Sequence, residues 1–463
     1  MKLFNPFKSS LRNKAVPSSI KLNYADFIYL TMEDVNLSQG NLVMLRFKEK
    51  HPVEEIREAM RYLLTIYPRL RSLLEPTLFS YQLRILDNND ERLDLFYNNA
   101  FRVTPQVKYN SQEFISFRRN FYNEPFALLQ TIPLKICYFP DDPTPVLMLS
   151  IHHVAGDGAA VVHMIGSLMA YLNGKRTEPV PIDNPSLVPA LMNLPWYKFP
   201  SQLYQSIQLL MQDSKQAPKG RIIPATDKPV NFFGPVDIHV DVLKYDFSLI
   251  RTTARELGVS ITTIILTALA ISLTQGRNIQ GDIAGIIVSA NLRPFFSGKK
   301  PIIGNYITGF MIRLPRAIWG DHQALLNEVH SQMTHKLKRI ENKQNLVSGL
   351  ATKMSTLVGK KNYSRVIRLA KQVGILSKTG ALANLGSVDS LNSYGNKAQI
   401  CEFLGSGPSH GLFVAINILE GRVFVSYTYQ EAEFTRAEVQ ARMAQFEESL
   451  GNLLNKNTNM GKK

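Results

Sequence analysis

Val146-Leu147-Met148-Leu149-Ser150-Ile151-His152-His153-Val154-Ala155-Gly156-Asp157-Gly158 is the stretch around which the chain is organised. An apolar run ends in two histidines, a glycine-flanked aspartate follows, and residues 159–172 then have helical spacing. This pattern predicts a buried strand, a tight turn and a helix, with the imidazoles at the strand's carboxyl end. Side chains alternate along a strand, so His153 shares a face with Leu147, Leu149 and Ile151 while His152 points the other way. The two histidines therefore cannot act as twins. An imidazole titrates near neutrality and can take a proton from a hydroxyl or amine and pass it on. That suits attack of either group on an activated carbonyl. The plainer alternative is a pair of core histidines satisfied by backbone groups.

Outward from this stretch, an apolar face of Ile56, Met60, Leu63, Leu64 and Tyr67 predicts a helix that stops at Tyr67-Pro68. Residues 80–86 and 134–139 read as strands, with Asn123-Glu124-Pro125-Phe126-Ala127-Leu128 between them and the turn Asp141-Asp142-Pro143 before the histidine strand. Ligands favour the carboxyl ends of strands in such α/β layers. Prolines then recur from 179 to 229 around one helical piece at 201–210, which reads as a crossover between halves. The second half restarts with an alternating strand at 236–242. A helix at about 249–257 ends at Gly258, and a buried helix follows Ser260. Next come a strand at 283–289, Asn291-Leu292-Arg293-Pro294, and a strand opened by Gly304-Asn305 that runs to 315. Residues 321–375 are basic and helical, either a solvated face or a docking surface for an anionic partner. Four strands, 381–388, 398–404, 412–419 and 423–429, close the second half, the last two joined at Glu420-Gly421. A final helix covers about 435–453. The expected organisation is a basic extension at 1–20, halves at 21–175 and 230–455, the crossover at 176–229, and a frayed tail at 456–463.

A chain of 463 residues is long enough for two domains. Two cysteines, Cys137 and Cys401, form neither a disulfide framework nor a metal cage and suit a reducing compartment. The first ten residues have no apolar run behind their basic ones, so no signal peptide is read. The most apolar stretch, 261–273, is too short to span a bilayer. With 53 basic against 37 acidic residues the charge is +16, which favours anionic partners: nucleotide phosphates, an acidic protein or a membrane surface. No nucleic-acid motif accompanies it, and nucleic acid is not expected.

His152-His153-x-x-x-Asp157-Gly158 resembles the signature of the chloramphenicol acetyltransferase-like, condensation-domain superfamily of acyltransferases, which includes alcohol acyltransferases and wax ester synthases. The resemblance covers roughly residues 20–455. It includes Pro68-Arg69-Leu70-Arg71, Asn291-Leu292-Arg293-Pro294, Gly304-Asn305, Asn384-Leu385-Gly386 and the terminal hairpin and helix, in the order of that superfamily. The element at 125–128 is similar to its Pro-Phe-Asp-Leu, with Ala127 in place of the aspartate. Thr262-Thr263 stands where wax ester synthases carry Asn-Asp, and the Asp-Phe-Gly-Trp-Gly of plant acyltransferases is absent.

The resemblance implies an α/β fold of two similar two-layer α+β halves, with the active site in a channel between them. It implies His153 as general base, supported by His152, by Asp157 paired with Arg293, and by Gly158, which leaves the channel open. Candidate channel residues or donors to the developing oxyanion are Asn384, Gly386 and Ser387. No cofactor is expected to be bound, the co-substrate being an acyl-coenzyme A or phosphopantetheine thioester, and no metal is implied. The partners are then that donor, free or on an acyl carrier protein, and a small-molecule or lipid acceptor. A monomer in the cytoplasm, with peripheral membrane contact, is expected. Two other readings stand beside this one: the same fold as an inactive binding module, or a serine hydrolase using Ser409 of Gly407-Pro408-Ser409-His410-Gly411. A hydrolase elbow needs a helix after its serine, and here a strand follows.

Overall fold

The computed structural model describes residues 18–458 except 37–38, 79, 142–143, 181–194, 217, 229, 231, 277–280, 296–301, 375 and 409–410. Most of the expected extension and tail, part of the crossover, and Ser409 therefore fall outside the described residues. The first half runs β1 (Ser19–Lys21), α1 (Tyr24–Asn36), β2 (Gly40–Phe47), α2 (Val53–Ile66), β3 (Ser72–Pro76), β4 (Tyr81–Ile85), α3 (Glu91–Ala100), β5 (Phe101–Val103), α4 (Gln112–Asn123), β6 (Leu134–Phe139), β7 (Val146–His152) and α5 (Gly158–Leu172). The second runs α6 (Phe199–Gln216), β8 (Val236–Val242), α7 (Phe247–Glu256), α8 (Ile261–Thr274), β9 (Ile283–Asn291), β10 (Ile307–Pro315), α9 (His322–Glu341), α10 (Leu346–Ser355), α11 (Lys360–Gln372), β11 (Gly380–Ser387), β12 (Ile400–Ser406), β13 (Phe413–Leu419), β14 (Arg422–Gln430) and α12 (Arg436–Thr458).

Two mixed sheets organise these elements into a two-lobed α/β architecture, one of order β12-β2-β7-β6-β5 and one of order β10-β9-β11-β13-β14-β8. β7 is buried along its whole length because it is central: β2 and β6 pair with it on either side, both antiparallel. Its apolar run fits a strand covered on both faces. α2 and α5 pack together on this sheet, with Ile56, Met60, Leu63 and Leu64 at or near zero exposure, as their spacing predicts. α8 is buried at nearly every position and packs against α9 and α12 in the other lobe's core. Among the described residues no single helix is long and apolar enough to cross a membrane.

Three expectations are corrected. Strand β12, read with the second half, instead extends the first half's sheet, pairing antiparallel with β2. It also faces the other sheet: Phe403 O accepts from Asn417 Nδ2 at 2.7 Å and Gly405 O from Ser426 Oγ at 2.6 Å. Burial pattern is the same for a strand in either sheet, so its partner was not readable locally. Strand β4 joins β1 and β3 in a separate three-stranded sheet, so Ser19 and Ile20 belong to a strand and not to a loose extension. Helix α12 continues to Thr458, into the expected tail. Phe403, fully buried on the borrowed strand, is expected to cost about 3–5 kcal/mol when replaced by Ala. Urea unfolding of Phe403→Ala checks this, with one cooperative loss across both lobes as the expected form.

Candidate active site

Where β7 ends the backbone turns sharply. His153 N donates to Gln39 O at 3.0 Å, Ala155 N to His152 O at 2.9 Å and Gly156 N to His153 O at 3.1 Å. A Cβ at Gly156 would lie 2.7 Å from the Cβ of Ala160, so this turn requires glycine there. Asp157 then caps α5, its Oδ1 accepting from Ala160 N at 2.9 Å.

The other oxygen of Asp157 reaches into the second half. Oδ2 accepts from Arg293 Nη1 at 2.9 Å and from Tyr306 N at 2.7 Å. Arg293 also donates through Nε to Ile302 O at 2.8 Å and through Nη2 to Gly304 O at 2.9 Å. Asp157 N donates to Gly304 O at 3.2 Å. One carboxylate with no solvent exposure thus fastens the motif loop to residues 302–306 of the opposite half. Gly158 lies at the same seam, where an added Cβ would come within 3.0 Å of Leu385 Cδ2 on β11.

His153 is held by the same segment. Its Nδ1 lies 3.0 Å from Asn305 Oδ1. Asn305 Nδ2 donates to Asp26 Oδ1 at 2.7 Å and also to His153 O, which orients the carboxamide oxygen towards the ring. An oxygen there can only accept, so Nδ1 carries the proton and Nε2 keeps its lone pair. Asp26 on α1 is anchored in turn: Arg69 Nη1 lies 3.3 Å from both its oxygens and donates to Val154 O at 2.7 Å. Burial raises the Asp26 carboxyl above its usual value, opposed by Arg69 and by the Asn305 hydrogen bond. Tyr29, one turn further along α1, lies parallel to the imidazole with ring centroids 3.6 Å apart. Burial pushes the His153 pKa down to about 4, against the Asn305 hydrogen bond and the Asp157 charge.

His152 occupies a different environment, as alternation requires. Its Nδ1 accepts from Val154 N at 3.1 Å, bracing the turn, and Nε2 lies 3.6 Å from Glu33 Oε2 of α1. Glu33 also accepts from Phe126 N at 3.1 Å. A carboxylate therefore stands beside the 125–128 element although Ala127 is not acidic. Burial raises Glu33 to about 7, and it lowers Lys135, whose Nζ sits 4.3 Å over the Phe126 ring, to about 8.

The expected oxyanion donors have partners within their own half. Asn384 Nδ2 donates to Thr262 Oγ1 at 3.1 Å, and its Oδ1 accepts from Gly386 N at 2.9 Å. Ser387 is exposed and donates to Asp389 Oδ2 at 2.8 Å. A bulge in β11 lies between Asn384 and Gly386, and Leu385, between them, is the residue that meets Gly158.

The neighbouring space is a cavity of about 390 Å³ between α1 and the second half. Tyr24, Ile28 and Tyr29 form one wall, and Ile287, Leu292 and Ile307 another. Ser289, Thr308, Ser348 and Thr352 add hydroxyls. Tyr29 both lines the cavity and stacks on His153, so its ring is the partition between them. Sequence reading overlooked Tyr29 and Asp26 because they lie on α1, a helix it did not recognise. Asn305 and Arg69 were quoted as motif residues without a role. The signal available for α1 was three carboxylates, Asp26, Glu33 and Asp34, in a largely apolar and aromatic run.

Asp157→Ala removes a helix cap and strands Arg293, and is expected to lower the unfolding free energy by about 3–5 kcal/mol. Urea titration of the variant beside wild type measures this, and an unchanged midpoint would deny the seam its weight.

No family model and no curated protein matches the chain. Solved structures do, over almost its full length. The first condensation domain of the calcium-dependent antibiotic synthetase superposes with a TM-score of 0.65 at 11% identity, covering 95% of this chain and 97% of that one. A trichothecene 15-O-acetyltransferase from Fusarium sporotrichioides gives 0.63 at 12% identity, with 94% of each chain covered. The epimerization domain from the third module of tyrocidine synthetase B gives 0.59 at 13%, covering 95% and 96%. The buried histidine strand, the two mixed sheets and these superpositions agree: the chain has the fold of these condensation, epimerization and acetyltransferase structures.

Proposed function

We propose that the protein is an acyltransferase that moves an acyl group from a thioester of coenzyme A or pantetheine to a hydroxyl or amine, with His153 as its general base. The observation that carries this reading is the hydrogen bond between His153 Nδ1 and Asn305 Oδ1, from which the tautomer follows. Asn305 holds the proton on Nδ1, so Nε2 is the basic nitrogen. With its pKa pushed down to about 4, the ring is neutral at physiological pH and ready to accept a proton.

In the proposed step, Nε2 takes the acceptor's proton as the acceptor's oxygen or nitrogen bonds to the thioester carbonyl carbon. Collapse of the tetrahedral intermediate breaks the carbon–sulfur bond, and the proton on Nε2 passes to the departing thiolate. The imidazolium formed on the way is stabilised by Asn305 Oδ1 and by the nearby Asp157 charge. Asn305 is a positioning residue here, and Asp26 with Arg69 fixes its orientation in turn. A binding module is the second reading, favoured by the Tyr29 ring that covers one face of the imidazole.

Thiol release from a panel of acyl-coenzyme A thioesters with mixed alcohols and amines tests this. Acceptor-dependent release should fall about 10²–10⁴-fold in His153→Ala with folding intact, and about 10–100-fold in Asn305→Ala. No release from coenzyme A or carrier-protein thioesters, in wild type or Tyr29→Ala, would leave the binding module.

The pH profile is a separate check. A base whose pKa is depressed loses activity only as pH falls through that lower value. The acid limb of kcat/KM is therefore expected near pH 4, well below the 6.5 of an unperturbed imidazole. An acid limb at 6–7 would mean that another group, such as Glu33, controls the profile.

A further inference from the structure

Between residues 342 and 388 the chain carries eight lysines and arginines and no aspartate or glutamate. This segment comprises α10, a 3-10 turn at Thr356–Val358, α11 and β11. It also exposes large apolar side chains. Leu357 is 70% exposed, and Met354, Val366, Leu369 and Val373 are each near 60%. Val366, Leu369 and Val373 recur at i, i+3 and i+7, so they form one stripe along α11. Lys361, Arg365 and Arg368, at i, i+4 and i+7, form a second exposed stripe beside it. The third face of α11 is the one that packs: Ser364 Oγ donates to Thr31 O at 3.2 Å, and Lys360 Nζ lies 2.8 Å from Asp34 Oδ1, both on α1.

An apolar stripe flanked by cations on a helix anchored from behind is the pattern of a helix lying in a membrane interface. An acidic protein would match the cations but would leave Leu357, Met354 and Leu369 against water or against charge. Anionic lipid matches both, through its headgroups and the acyl boundary beneath them. α6, which packs against α10, adds exposed Tyr204, Leu210 and Met211.

We propose that the α10–α11 corner is a docking surface for an anionic lipid bilayer, and that it serves the cavity beside His153. The two share elements. Asn345, Ser348, Gly349 and Thr352 line the cavity from one face of the α10 region, while Met354 points to solvent from another. α11 clasps α1, whose Tyr24, Ile28 and Tyr29 form the opposite wall. The exposed corner and the cavity are thus separated by about the 10 Å thickness of one helix. The apolar walls of the cavity then receive a substrate with an aliphatic portion drawn from the bilayer. This last point rests on the acyl-transfer reading, whereas the docking does not.

Co-sedimentation of the full chain with phosphatidylcholine vesicles, with and without phosphatidylserine, tests the docking. Binding is expected only with phosphatidylserine and should weaken as salt is raised. K361E/R365E and L357Q/L369Q should each weaken partitioning more than about tenfold while keeping the wild-type circular dichroism and thiol release from a short soluble substrate. Vesicles should also protect 346–373 from hydrogen exchange in wild type, a readout that needs no variant. Absence of binding to anionic vesicles, or binding indifferent to both variants, overturns the proposal. A dimer lost in L357Q/L369Q without vesicle binding overturns it in favour of self-association, and capture of an acidic carrier protein without vesicle binding overturns it in favour of that partner. Docking without thiol release from any donor would leave the surface standing and remove the acyl-transfer reading alone.

Discussion

The buried carboxylate of Asp157 is the constraint on which the arrangement depends. It has no water to solvate it, so its charge must be met by fixed donors, and they come from three directions. Ala160 N supplies the start of α5, while Arg293 and Tyr306 N supply the other half. Because Oδ2 binds Tyr306 N, the residue before it, Asn305, is carried to the imidazole of His153. The distance from Asn305 to His153 thus follows from an ion pair that touches neither ring nitrogen.

The surroundings of His153 place opposing demands on it. Burial excludes water and depresses its affinity for a proton, while Asn305 and Asp157 pull the other way, and burial wins. A neutral ring with a defined tautomer results. Behind the same strand His152 meets Glu33 and Lys135, whose pKa values burial brings to about 7 and 8. The motif therefore separates two polar clusters on opposite faces of one strand, and α1 contributes to both through Asp26 and Glu33. Any displacement of α1 would be felt at both histidines, which gives the grip of α11 on α1 a bearing on the site.

The lobes are joined by exchange as well as by charge. β12 leaves the second half to become the edge of the first half's sheet, and its carbonyls are met by Asn417 and Ser426. Near the opposite edge, Asn123 on α4 pairs reciprocally with the backbone of Val236 on β8, at 2.6 and 2.9 Å. A seam with hydrogen bonds at several separated places resists hinge opening, so the cavity beside α1 is a formed feature and not a gap between independent bodies.

Much of this was legible in the chain itself. The β7 turn and α5 followed from an apolar run, a glycine-flanked aspartate and the helical spacing after it, all local physics. α2, α8 and the β13–β14 hairpin followed from periodicity and turn residues in the same way. The partner of β12 did not, because burial alternation specifies a face and not a neighbour. Nor did the present partners of Asn384, Gly386 and Ser387, which depend on Thr262 of α8 and on local contacts around a bulge. The sequence by itself determined which histidine faces which side and that a strand, a tight turn and a helix follow one another there, since these depend on residues within a few positions of one another. Only the tertiary structure decided that Asn305, Asp26 and Tyr29 gather about His153, because α1 and the segment before β10 are far from the histidine motif, and from each other, along the chain.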